Sequence, residues 1–433
     1  MDAHTSAERA PLPAEPNTHT RTVRIARTLL ACLAWLFTSL GPARPAAALD
    51  APAVFDSAVS AIRHQFFDPR LNGASLDTIA AYRRLNLAGA DSEGALVKQV
   101  RGLLSDLKYS GTSFYREGQA PDFTPAFRWR MTRDGLVVTA VQTGSECWSA
   151  GLAVGDLVST RPDDLWGPRG SRVALSVRSS LGEWSREIQR EGYDVPEPDF
   201  SLTLHAGGKV GCLRVNRLTD PAAVDQVAQE VLAPDRGQSF QDLVLDVRYC
   251  RGSDASVLKL LARFAPQASV AGYAVNRLGM DALKEPLEKS IPHNLAESTG
   301  DGWTFYPTLS EKGLLALRVL PVPDSTFQGR VMVLADENTR GFAELVPAWF
   351  RQTGRGKVVG RTTAGVGGLP AAIKLDGGWT LQLPTTALFL PDGRPLEHHG
   401  VEPDAFTEWH QVDVRAAADP DLERALQLLG VEY

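Results

Sequence analysis

From about residue 200 onward, short apolar runs alternate with stretches at helical spacing, and no other feature restricts the fold as strongly. KVGCLRVNRL, DLVLDVRY, RVMVLAD, KVVGRTTAG and TLQLPTTALF are rich in aliphatic and β-branched residues, which reads as strands. PAAVDQVAQEVL, ASVLKLLARF and AELVPAWFRQTG fall between them and repeat apolar residues three and four apart, which reads as helices. Strands alternating with helices predict an α/β core over 200–428.

Upstream the pattern changes. Over 49–118, Val54, Phe55, Ala58, Val59, Ile62 and Phe66 make one apolar helical face, DPRLNG is a turn, and LDTIAAYRRL and EGALVKQVRGLLSDL continue as helices. This predicts a helical cap, followed by a loop, KYSGTSFYREGQAPDF. Over 122–192 a strand at Leu136 to Val141, a short helix near Cys147 and the alternating runs RVALSVRS and EWSREIQRE predict a small β-domain. DVPEPDFSL links it to the core. Residues 1–48 read as an export signal: Arg21, Arg24 and Arg27 precede LLACLAWLFTSL, and Ala46-Ala47-Ala48 follows. That run is too short for a comfortable membrane span. The mature chain is expected to start near Leu49 and to work in the periplasm, touching a membrane only if the signal stays uncleaved.

A chain of 433 residues has room for these domains, and its net charge of -6 weighs against a nucleic-acid partner. Of four cysteines, Cys32 falls in the signal, leaving Cys147, Cys212 and Cys250, and no Cys/His spacing fits zinc. His398 and His399 are adjacent, and neighbours on a strand face opposite ways. No metal and no cofactor are expected.

On AGLAVGDLV (Ala150 to Val158), the 122–192 segment resembles a PDZ domain of the form found in exported bacterial proteases. The resemblance implies a groove that takes an extended peptide by strand addition, lined by Leu136, Val137, Val138, Gly151, Leu152 and Gly155. FRWRMTRDG departs from the Gly-rich loop with which such domains hold a carboxylate. The order of cap, β-domain and core, together with LVLDVRYCRGS, VMVLADENTRGFAELVPAWF, GKVVGRTTAGVGG and LFLPDGRPLEHHGVEPDAF, resembles the S41 peptidases, the C-terminal-processing and tricorn-type serine proteases. It implies a ClpP/crotonase-like core of repeated β-β-α units, with the helical cap before it and the PDZ-like domain inserted.

A serine protease needs an exposed hydroxyl, a base and backbone N–H groups for the oxyanion. The family's Thr-x-Ser-x-x-Glu reads here as Thr339 to Glu344, with Gly341 where the Ser stands. The Lys of its Gly-Lys-Gly turn is replaced by Val366, and the His of its Ser-His-Thr loop by Gly111. Ala343 stands where one branch carries a further Lys. Gly252, after Tyr249-Cys250-Arg251, and the N–H of Phe342 are the expected oxyanion positions. Glu344 is retained and is expected to order the turn, and Asp246 and Arg248 are expected to pair at a strand end. The resemblance thus implies an exported S41 homologue that binds peptides or partner proteins without proteolysis. Two alternatives stay open. One is an active endopeptidase acting on protein C-terminal regions through Cys250, Ser253, Thr339 or Thr362. The other is a structural envelope protein whose cleft is filled by Tyr249, Phe342 and Val366.

Overall fold

In a computed structural model of the chain, residues 49–87, 92–116, 123–219, 221–230, 240–323 and 326–431 are described; the signal read at 1–48 lies outside them. Helix α1 (Ala51–Gln65) starts where the Asp50 carboxylate accepts the Ala53 N–H at 3.0 Å. It packs with α2 (Leu76–Leu85) and α3 (Glu93–Asp106), the latter capped by Ser92. The expected loop after them contains a strand, β1 (Ser113–Arg116). Cross-strand pairing overrides its weak local signal: Phe114 is fully buried and stacks on Trp379 at 4.7 Å.

Next comes a five-stranded antiparallel sheet. Its elements are β2 (Phe127–Thr132), β3 (Gly135–Val141), α4 (Glu146–Ser149), β4 (Leu157–Val158), α5 (Pro162–Leu165), β5 (Arg172–Ser179) and β6 (Gly182–Gln189). The strands run in sequence order, so β3 is interior.

The core has two larger sheets and one small one. Its elements are β7 (Phe200–His205), β8 (Val210–Val215), β9 (Arg217–Leu218), α6 (Pro221–Glu230), β10 (Asp242–Asp246), β11 (Arg251–Gly252), α7 (Val257–Ala262), β12 (Ser269–Asn276), α8 (Arg277–Ala282), β13 (Ala296–Ser298), α9 (Gly302–Lys312), β14 (Leu314–Val319), β15 (Val331–Ala335), β16 (Arg340–Gly341), α10 (Leu345–Thr353), β17 (Lys357–Gly360), β18 (Gly368–Leu375), β19 (Trp379–Phe389), β20 (Ala405–Phe406), α11 (Gln411–Arg415) and α12 (Pro420–Leu428). One sheet has the order β20-β17-β15-β10-β8-β7 and is parallel except for β7. Its interior strands β10 and β15 are buried along their whole length, as the continuous apolar runs require. The other has the order β1-β19-β12-β14-β13, with β18 on β19. The segment 269–319, which supplies three of its strands and two helices, carries no strong periodic signal.

The layers follow from which faces are apolar. Leu258 and Leu261 of α7 and Trp349 and Phe350 of α10 fill the space between the two large sheets. The N-terminal helices cover the far face of the second sheet through Phe55, Ile62, Leu96 and Leu103. Helix α12 covers the far face of the parallel sheet through Leu422, Ala425 and Leu426. Among the described residues, no helix is long and apolar enough to cross a membrane.

The five-stranded sheet is fastened to the core by buried charge. The Asp421 carboxylate, fully buried, accepts from Arg248 (2.9 Å), Arg361 (2.7 Å), Arg130 of β2 (3.2 Å) and the Trp409 indole (2.9 Å), and also from the Thr407 hydroxyl. Arg248 pairs with Asp246 at 2.8 Å as its strand-end position led us to expect, and it reaches Asp419 as well. Arg130 also lies over the Trp409 ring at 3.9 Å, and Tyr249 donates to the Trp129 carbonyl. The charges collect at the C-terminal ends of β10, β15 and β17, where a parallel sheet opens its crevice.

Candidate functional site

The site begins where β15 ends. The Asp336 carboxylate accepts from the N–H groups of Tyr249 (3.1 Å) and Asn338 (3.0 Å), and the buried Thr339 hydroxyl donates to the Val247 carbonyl at 2.8 Å. These bonds tie the turn after β15 to the end of β10. The turn ends in the two-residue β16, which pairs in parallel with β11, so that Gly341 faces Gly252. Gly341 has φ +67° and ψ -137°, a conformation in which residues bearing a Cβ are strained. A Cβ built there lies 2.6 Å from the Gly252 carbonyl oxygen. One on Gly252 lies 2.4 Å from the Ala343 nitrogen and 2.8 Å from the Phe342 Cβ. The expected nucleophile and oxyanion positions are therefore in contact, with backbone filling the space of a side chain. The Phe342 ring is fully buried edge-on to Phe305, at 5.7 Å.

Two buried glutamates hold the loop opposite. Glu344 accepts from the Gly341 N–H (3.0 Å), the Thr363 hydroxyl (2.5 Å), the Gly365 N–H (2.7 Å) and the Val366 N–H (2.9 Å). Glu397 accepts from the N–H and hydroxyl of Ser110 (2.6 and 2.7 Å), the Gly367 N–H (2.8 Å) and the Gly368 N–H (3.1 Å). Four successive backbone donors, residues 365–368, thus go to two carboxylates. Burial raises the pKa of Glu344, and the Thr363 and backbone donors oppose the rise. Gly111, at φ +73°, lies against this loop from the other side: a Cβ there would stand 3.1 Å from the Gly368 carbonyl. Val366 is half-buried. Gly341, Val366 and Gly111 are accordingly brought to one loop cluster, and none of the three has a group that accepts or donates a proton through its side chain.

The other candidate nucleophiles are accounted for by their surroundings. Cys250 is fully buried, and burial, followed by the Asp246 charge, pushes its thiol pKa far up. Burial likewise pushes the Cys147 and Cys212 thiols up to about 12. The Thr339 hydroxyl is engaged as described. Ser253 and Thr362 are exposed. The His398 ring meets the Lys108 carbonyl at 2.7 Å and His399 meets the Glu397 carbonyl at 2.9 Å, and among the described residues no hydroxyl is bonded to either ring.

The residues assigned to a peptide groove need correction. Leu136, Val137, Val138 and Leu152 are buried, and β3 is paired on both sides. The Val138 N–H goes to Asp156 and its carbonyl to the Gly155 N–H. Val137 packs with Trp409 and Val414, while Arg415 covers Gly155. Only Gly151 is exposed. Strand addition along Leu136 to Val138 has no free edge to use.

Sequence reasoning did not single out Glu397, Ser110 or Thr363. Glu397 lies inside PLEHHG, where a Glu next to two His reads as surface. The signal was the Gly-Val-Gly-Gly run, whose amides need buried acceptors.

Residues 209–406, a little under half of the chain, match the family model of peptidase family S41. It is 29% identical over 111 residues to the tricorn protease of Thermoplasma acidophilum, and 32% over 114 residues to tricorn protease homolog 1 of Streptomyces coelicolor. These matches take in 25% and 26% of this chain, but only 10% and 11% of those proteins. The carboxy-terminal processing protease CtpB of Bacillus subtilis is 22% identical over 338 residues, covering 72% of this chain and 63% of CtpB. Among solved structures, mature CPAF superposes with a TM-score of 0.60 at 15% identity, over 84% of this chain and 94% of that one. The photosystem II D1 C-terminal processing protease does so at 0.53 and 17%, over 88% and 98%. At these identities the structural likeness speaks to the fold.

Proposed function

We propose that this chain is an exported peptide-binding member of the S41 family that holds polypeptide without hydrolysing it. The observation that carries the reading is Gly341. The turn that presents a nucleophile in the family pattern here has no side chain, and the Gly252 carbonyl lies 2.6 Å from where a Cβ would stand. Val366 and Gly111 support it, since the two base positions read from the family pattern hold residues that cannot accept a proton. Loss of triad members leaves only weak residual catalysis from oxyanion donors and binding. The same reading takes 1–48 as a cleaved signal, the periplasm as the compartment, the five-stranded sheet as a PDZ-like insert and the core as ClpP/crotonase-like.

The second reading is an active endopeptidase of the C-terminal-processing kind. The names of CtpB and of the D1 processing protease favour it, and the exposed Ser253 beside Gly252 is the hydroxyl it would use. Incubating the purified chain with an unfolded protein and with tail peptides separates the two. Intact masses unchanged over a day, with measurable peptide binding, fit the first reading. Cleavage that persists through re-purification and disappears in Ser253→Ala or Cys250→Ala overturns it.

A further inference from the structure

Beside the empty nucleophile turn lies a row of arginines. Strands β16, β11 and β9 form a three-stranded parallel sheet in which Arg340, Arg251 and Arg217 are in register. In-register side chains on neighbouring strands share a face. The next row is Gly341, Gly252 and Leu218, so the guanidiniums sit one residue from the two glycines that meet at the site.

The flanking arginines are neutralised. Arg217 pairs with Asp199 at 3.1 Å, and Arg128 makes a two-pronged pair with Glu197 at 2.8 and 2.9 Å. Arg251 and Arg340 are not. Among the described residues no carboxylate is bonded to either, and Arg340 donates only a long 3.4 Å bond to the Asn338 carbonyl. Glu344, which acts on Arg340 through space, already has both oxygens engaged. Desolvation, and then the charges of Arg340 and Arg128, lower the pKa of Arg251; desolvation also lowers that of Arg340, against the charges of Glu344 and Asp336. Arg251 nevertheless remains open to solvent. Glu344 and Asp336 act on Arg340 through space, but among the described residues no carboxylate acts in this way on Arg251, and the two adjacent like charges oppose the strand pairing that holds them together. A planar anion bridging two guanidinium forks removes that opposition.

We propose that Arg251 and Arg340 form a carboxylate-binding site that anchors the polypeptide held in this cleft, either by its terminal carboxylate or by an Asp or Glu side chain. This rests on the peptide-holding reading above.

The test measures binding of labelled peptides to the full chain by fluorescence anisotropy. The set comprises one peptide with a free C-terminus, its amidated form, an amidated form ending in Glu, and a phosphoserine form. The free acid is expected to bind about tenfold or more tightly than the plain amide, the range of a hydrogen bond to a charged group. Arg251→Gln and Arg340→Gln should each erase that preference, while Arg217→Gln, already paired with Asp199, should keep it. Circular dichroism of each variant guards against misfolding, and Arg251→Lys should recover part of the preference. If the Glu-ended amide matches the free acid, the site takes a side-chain carboxylate as well as a terminal one; if only the free acid is held tightly, the anchor is the C-terminus. Equal binding of the free acid, the plain amide and the Glu-ended amide overturns the site and leaves the peptide-holding reading standing. Binding of none of the peptides overturns both, and a strong preference for phosphoserine overturns the carboxylate assignment.

Discussion

Restoring a hydroxyl at residue 341 should damage the protein rather than revive an enzyme. In Gly341→Ser the new Cβ meets a backbone oxygen, the Gly252 carbonyl, at 2.6 Å, and a backbone atom cannot swing aside as a side-chain tip can. Strain at a positive φ costs about 1–3 kcal/mol. Overpacking against β11 adds about 1–3 kcal/mol. Reduced freedom of the unfolded chain returns about 0.4–1 kcal/mol. The net loss is roughly 2–5 kcal/mol, large against the marginal stability of most domains. Gly111→Ala is the comparison: its φ is +73°, but its nearest contact is 3.1 Å and the site is exposed, so it should lose about 1–2 kcal/mol. The assay is urea unfolding of wild type, Gly341→Ala, Gly341→Ser and Gly111→Ala, followed by tryptophan fluorescence, with Trp349 fully buried on α10. If Gly341→Ala unfolds within about 0.5 kcal/mol of wild type, the tight β11–β16 contact is not what excludes a side chain there.

Four further outcomes follow from the buried charges and thiols. Asp421→Asn removes the charge shared by three arginines, and should destabilise by about 3–5 kcal/mol and expose the five-stranded sheet to protease before the core; unchanged limited proteolysis would refute this. The neighbouring guanidiniums, acting against desolvation, hold the Asp421 and Asp246 carboxyls below the ordinary Asp value. Their contribution is therefore complete above that value and lost as pH falls through and below it, so melting temperature should drop below about pH 4, and less steeply in Asp421→Asn. Burial raises the Asp336 pKa and gives the opposite sign, which partly offsets the drop. Glu397→Gln should speed amide exchange at Ser110, Gly367 and Gly368, with no change at Gly365, whose acceptor is Glu344; uniform exchange across the loop would contradict two separate anchors. Cys250 should resist alkylation in the native protein at pH 8 and react once unfolded, and native labelling at the rate of a free thiol would show that it is neither buried nor held protonated.

Much of the α/β core could be read in advance because its strands are buried on both faces. Runs such as VMVLA carry that environment in their composition. Segment 113–116 was read as loop because its strandedness comes from a partner some 270 residues away: Ser113 sits opposite Gln382. The segment 269–319 went unread for a related reason, its strands being short, mixed and paired across long separations. At the site, the lack of a proton-accepting side chain at Gly341, Gly111 and Val366 was legible against the family pattern. That Gly252 closes onto Gly341 was not, because it depends on register between two-residue strands. The expectation for Leu136 to Val138 failed on sheet order: alternation identifies a strand and says nothing about whether its edges are free. Arg251 was noticed as bulky, but its lack of a counter-charge is a statement about three-dimensional neighbours.

The Asp421 cluster also bears on the order in which the chain is assembled. Arg130 and its anchoring carboxylate are separated by 291 positions. During synthesis the five-stranded sheet and its own apolar core are complete long before Asp421 emerges on α12, the acid that Arg130, Arg248 and Arg361 share. Joining of the sheet to the core through this cluster thus waits on a helix made well after the sheet itself. Until then the two halves have every reason to fold and little reason to join.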